Sequence, residues 1–154
     1  MKMKTWRFFG LAALVSAVTV VAIVLASVAL FSPKAQRFDG YSDVLKSGLI
    51  EKGWIPEFLP KDAFNVIHQH DLDTGETVVE FSFKVQFVGS LGTLWRALPS
   101  QSLAEYQKEA TMVAWDLKNV SNATFYVAEG FDRHSVLAID DSSKRALYWE
   151  TIKR

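Results

Sequence analysis

The feature that most constrains this chain is an unbroken apolar run from Phe8 to Phe31, FFGLAALVSAVTVVAIVLASVALF, without one charged residue. Its polar members are Ser16, Thr19 and Ser27, whose hydroxyls can bond back to the preceding helical turn. At about 1.5 Å per residue such a run reaches roughly 36 Å, more than the ~30 Å of a hydrocarbon core. A helix exposed to water would carry a polar face, and this run has none. It is expected to be a transmembrane helix over residues 8–31. A cleaved signal has an apolar region of about 7–15 residues before a small-x-small site. This run is longer, and its best cleavage candidate, Ser27-Val28-Ala29, is followed by more apolar residues, so a retained anchor is the expectation. Ala13, Ala17, Ala22, Ala26 and Ala29 offer small faces for helix packing within it.

Charge sets the expected orientation. Lys2, Lys4, Arg7 and the terminal amine precede the run, and Lys34 and Arg37 follow it. The excess places residues 1–7 on the cytoplasmic side and the rest beyond the membrane. A juxtamembrane linker is expected over 32–39, where Pro33 ends the helix, and an extracytoplasmic domain over 40–154. All 17 acidic residues lie from Asp39 onward, whereas only 12 of the 17 basic residues follow Arg37. That domain therefore carries a charge of about −5, a poor footprint for nucleic acid or anionic lipid. The chain has no cysteine, which excludes disulfides, thiolate metal sites and attachment as a lipoprotein.

Within the domain, Tyr41, Val44, Leu45 and Leu49 recur at helical spacing, with Gly53 placed to cap the end. Trp54 to Ala63 contains Pro56 and Pro60, which exclude a helix interior, but Trp54, Ile55, Phe58 and Leu59 are too apolar for a free loop. Residues 63–72 and 77–85 alternate as strands, joined by a hairpin turn in which Gly75 supplies the positive φ. Ser102 and Glu105 form a capping-box pattern ahead of a helix over 103–118. Residues 123–128, 135–140 and 146–152 read as strands, with a tight turn over 140–144. The expected fold is α+β: an N-terminal transmembrane helix, then an antiparallel sheet of about five strands with two packed helices.

The pattern Gly53-Trp54-Ile55-Pro56, Leu59-Pro60, Ala63, Ile67 and His70-Asp71-Leu72-Asp73-Thr74, followed by Glu80-Phe81-Ser82-Phe83, resembles that of small bacterial membrane-anchored envelope proteins. Lys61-Asp62 departs from the polar-Ser step that precedes the alanine in that group. The resemblance covers about a fifth of the chain. It implies a bacterial envelope location and points to nothing catalytic; with the anchor and its flanking charge, the expected location is the bacterial inner membrane with the domain periplasmic.

Several constellations could carry chemistry. His68 and His70 would project from one face of a strand, and Asp71 could add an oxygen, a set that Zn²⁺ could accept with a water. Against it, Asp71 and Asp73 sit in a turn where aspartate is ordinary, and His134 begins a different strand. Residues 71–76 lack the oxygen ligands and distal Glu of a calcium loop. No Gly-x-Ser-x-Gly elbow, Walker loop or Gly-x-Gly-x-x-Gly is present, and nothing brings Glu80 and Glu129 together as an acid–base pair. Asn119 and Asn122 fit the glycosylation rule, which has no consequence in a bacterial chain. Phe87, Leu91, Leu94 and Trp95, spaced by glycines, are candidates for an adhesive patch or for closing the core. The expected function is a non-enzymatic protein-interaction or accessory subunit of a membrane complex, without cofactor. The alternative is a small-ligand or metal-binding sensor or hydrolase domain using His68, His70 and Asp71.

Overall fold

The computed structural model describes residues 35–85, 91–99 and 122–153. All of them belong to one compact unit, residues 34–154. Among them are seven strands: β1 (Gln36–Gly40), β2 (Phe64–His70), β3 (Thr77–Ser82), β4 (Arg96–Leu98), β5 (Thr124–Glu129), β6 (Arg133–Asp140) and β7 (Arg145–Ile152), with one helix, α1 (Tyr41–Ser47). They form a single sheet in the order β1-β2-β3-β7-β6-β5-β4. Every neighbouring pair is antiparallel.

The architecture differs from the expected one in two respects. The sheet has seven strands rather than about five, and among the described residues one short helix replaces the two packed helices. The expected helix over 103–118 lies outside the described residues, as does the expected span over 8–31. Among the described residues no helix is long and apolar enough to cross a membrane. What the described residues form is an antiparallel sheet domain, not the expected α+β sheet of about five strands with two packed helices.

Local chemistry explains the boundaries. The apolar periodicity that suggested a helix as far as Gly53 is interrupted at Gly48, which adopts a left-handed conformation and donates its N–H to the Leu45 carbonyl. Ser47 Oγ donates to the Val44 carbonyl at 2.6 Å, closing the last turn. A second left-handed glycine, Gly53, donates to Ile50 and directs the chain across the sheet. The part of the expected linker from Gln36 onward is strand β1, paired to β2 from Gln36↔His68 to Gly40↔Phe64.

The β2–β3 turn closes with Asp71 N–H to Glu76 O at 2.9 Å and Gly75 N–H to Asp71 O at 2.8 Å, Gly75 having φ 67°. At the β6–β7 turn, Asp140 Oδ1 accepts the Ser142 hydroxyl and the Ser142 and Ser143 N–H groups. The Ser142 hydroxyl leads these donors in holding the Asp140 carboxyl below the ordinary range, despite its burial. In β2, Asn65 takes φ 51° and the register to β3 shifts between Phe64 and Ile67. This bulge breaks the strict alternation expected there and leaves Phe64 outside both core clusters.

The sheet buries apolar side chains on two faces. On one, Val66, Val79, Phe81, Leu137, Ile139, Ala146 and Tyr148 meet Val44, Leu49, Ile55 and Leu59. The proline-punctuated segment thus covers the sheet, as its apolar content suggested. On the other, Leu98, Phe125, Val127, Val136, Ala138, Leu147 and Trp149 form a second cluster confined to β4–β7. Alternation along β6 and β7 explains how five consecutive residues, Val136–Asp140, are all buried: successive side chains enter different clusters.

Candidate functional site

Register places polar side chains in one row across the covered face. His70 lies opposite Thr77, Thr77 opposite Glu150, and Glu150 opposite Ser135. His70 Nδ1 and Thr77 Oγ1 are 2.7 Å apart. Glu150 accepts from three sides: Arg133 Nη1 at 2.7 Å, the Tyr148 hydroxyl at 2.7 Å and Ser135 Oγ at 3.2 Å. Burial first, and then the charge of Glu150, push the Tyr148 phenol well above its ordinary range. Tyr148 is therefore a neutral donor across the physiological range and not a base.

Two aromatic groups flank this row. Phe58, Trp95 and Tyr148 meet edge to face, with centroids 5.3 Å apart for Phe58–Trp95 and 5.6 Å for Phe58–Tyr148. Trp54 lies flat on His70, 4.5 Å between centroids and 18° between planes. His68 is parallel to both rings, 6.4 Å from each. Lys52 Nζ stands 5.3 Å from the Trp54 ring. His68 is 2% exposed, and neither of its ring nitrogens makes a hydrogen bond of full geometry. Desolvation, reinforced by His70, pushes its pKa down to about 4, against a smaller upward pull from the Trp54 backbone.

His68 and His70 do share a face, but Asp71 does not join them. Its Oδ1 accepts the Asp73 N–H at 2.8 Å and the Thr74 N–H at 3.1 Å, within the turn. Among the described residues no three His, Asp or Glu side chains converge to hold a metal. His134 is on β6, three strands from His68. Glu80 and Glu129 are likewise three strands apart, paired with Arg145 and Arg96 respectively.

Of the expected adhesive residues, Phe87 lies outside the described residues. Leu91 and Trp95 pack against the first core cluster, and Leu94 is 83% exposed. Sequence reasoning missed Arg133, Ser135, Tyr148 and Glu150. The one available signal was their position at alternate places in two adjacent strands.

Chain direction brings other exposed apolar residues to one end of the sheet. The β2–β3 turn carries Leu72, the β5–β6 turn carries the fully exposed Phe131, and Ile152 ends β7 between them. Arg133 Nη1 donates to the Gly75 carbonyl at 3.4 Å and Lys153 N–H to the Asp132 carbonyl at 2.9 Å, tying the turns together. Leu94 precedes β4 at the same end, because Arg96 pairs with Val127 near the end of β5.

A family model described as the YbbD head domain matches residues 33–82. Over those residues the chain is similar to a known family. The match takes in β1, α1, the covering segment, β2 and β3, and stops before the β4–β7 half of the sheet. No curated protein and no solved structure matches significantly.

Proposed function

We propose that this domain is a protein-interaction module whose recognition surface is the end of the sheet carrying Leu72, Leu94, Phe131 and Ile152. The observation that carries the reading is Phe131, an aromatic ring fully exposed at the tip of a tight turn. Exposed apolar residues scattered singly are ordinary, but four at one end of a sheet make a candidate contact surface. Aromatic anchors of this kind supply much of the energy of protein interfaces. The turns that present them are fixed by backbone bonds and by Arg133, so little ordering is needed on binding. The envelope-protein pattern from Gly53 to Thr74 lies wholly within the matched segment, in keeping with an accessory rather than a catalytic role.

A photoreactive residue at position 131 in the full chain, expressed in its native cells, tests this. One dominant crosslinked protein is expected, and Leu94→Asp should reduce its yield at least tenfold. A control crosslinker at Lys61, exposed ahead of β2, should not capture that protein. Equal capture from Lys61, or a diffuse set of products, would overturn the proposal. Phe131→Ser should change stability by no more than about 0.5 kcal/mol, since it buries nothing.

A further inference from the structure

His68 sits where a leucine or valine would be expected. It alternates with Val66 on the core-facing side of β2, lies opposite Val79 on β3, and its nitrogens make no hydrogen bond of full geometry, the Trp54 backbone being the polar group within reach. A buried polar ring without a well-formed hydrogen bond costs stability relative to an apolar one. Trp54 covers this site, brought there by the segment that leaves α1. That segment is held by its own turn bonds, Gly53 N–H to Ile50 O at 2.9 Å, Trp54 N–H to Leu49 O at 2.9 Å and Leu59 N–H to Pro56 O at 3.1 Å. It meets the sheet through Leu49, Ile55, Leu59 and the flat contact of Trp54 on His70.

We propose that the Trp54–His68–His70 stack is an acid-operated latch, which holds the 49–60 segment on the sheet and releases it when His68 takes a proton. The side chains around His68 offer an added charge no free carboxylate, and the Trp54 backbone, which favours the charge, is outweighed by burial and by His70. From β1 the residue in register is Gln36, while Arg37 and Asp39 occupy the alternate positions. From β3 it is Val79, with Thr77 committed to His70. From the covering segment come Trp54 and, beyond its ring, the cation of Lys52, whereas Glu51 and Glu57 are exposed. From β2 itself comes His70, a second imidazole. The carboxylate that β7 carries on this face, Glu150, is held by Arg133, Tyr148 and Ser135. A protonated His68 therefore meets repulsion and desolvation, and the side that can yield is the short covering segment, not the paired strands.

The sign follows from linkage. An opened His68 titrates near its ordinary 6.5 and the packed one near 4. Between those values the open form binds more protons, so acid favours opening. The opening equilibrium should rise roughly twentyfold between pH 7 and pH 5.

Hydrogen exchange on the full chain, corrected for intrinsic rates, reads this directly. Amides of Gly53, Trp54, Ile55 and Leu59 should lose about twentyfold protection from pH 7 to pH 5, while those of β6 and β7 keep theirs. His68→Leu should flatten the profile, and His68→Gln serves the same purpose should the leucine variant fail to fold. Constant protection of the segment would overturn the latch. So would equal loss in β6 and β7, or the same acid response in a folded His68 variant.

Discussion

Phe81→Ala should lower the unfolding free energy by about 3–5 kcal/mol, the range for removing a buried phenyl ring without refilling its space. Phe81 is fully buried near the end of β3, lies opposite the small Ala146 on β7, and sits 6.5 Å from the Phe83 ring. Its β7 neighbour is fixed by backbone pairing, which restricts collapse from that side, while on β2 it faces the bulge between Phe64 and Ile67. Domains of this size have a total stability of about 5–15 kcal/mol, so the variant should remain folded but with a much reduced margin. Urea denaturation followed by circular dichroism is the measurement, with the midpoint falling and the slope unchanged. A loss below about 1.5 kcal/mol would mean that the covered face is loosely packed and that the 49–60 segment can settle into the gap.

That cavity lies in the half of the fold that the sequence made easiest to read. The β2–β3 hairpin follows from Gly75, which supplies the positive φ, and from Asp71, whose carboxylate collects turn amides. The β6–β7 turn follows in the same way from Asp140. Short-range chemistry of this sort is written where it acts. Strand β1 was illegible for the opposite reason. Gln36–Gly40 contains one apolar residue, Phe38, and a strand at the edge of the described sheet needs no alternation to pair with β2. Three-residue β4 is too short to carry a period. The expected helix is longer than the observed one because Leu49 continues the apolar spacing of Tyr41 and Leu45, although it reaches the core from a turn beyond Gly48.

The candidate site divides in the same way. That His68 and His70 share a face was legible from their spacing, but that His68 is buried on it was not. The stack on Trp54 was not, because it depends on where two left-handed glycines send the chain after α1. A carboxylate beside two histidines in sequence looked like a third ligand, but at the end of a strand the backbone amides of the turn claim it first. The apolar end of the sheet needed the strand order, which brings together turns about sixty residues apart.

Glu150→Ala should be the costliest polar substitution described here, at about 2–3 kcal/mol, because it strands donors rather than merely removing an ion pair. The Arg133 guanidinium is itself about two-fifths exposed, so its pairing with Glu150 is screened by water and contributes little alone. The Tyr148 hydroxyl is different. It is nearly buried, its bond to Glu150 is 2.7 Å, and the alternative acceptor, Ser135 Oγ, is 3.5 Å away. Without the carboxylate that hydroxyl loses its good acceptor. Glu150→Gln keeps a carbonyl oxygen in place and should cost only about 1 kcal/mol, and Tyr148→Phe in the Glu150→Ala background should cost almost nothing further. A double-mutant cycle between positions 148 and 150 therefore should return a coupling of about 1 kcal/mol or more. A coupling near zero would show that Tyr148 is held by its aromatic contacts with Phe58 and Trp95, and that the polar row beneath them is incidental to stability.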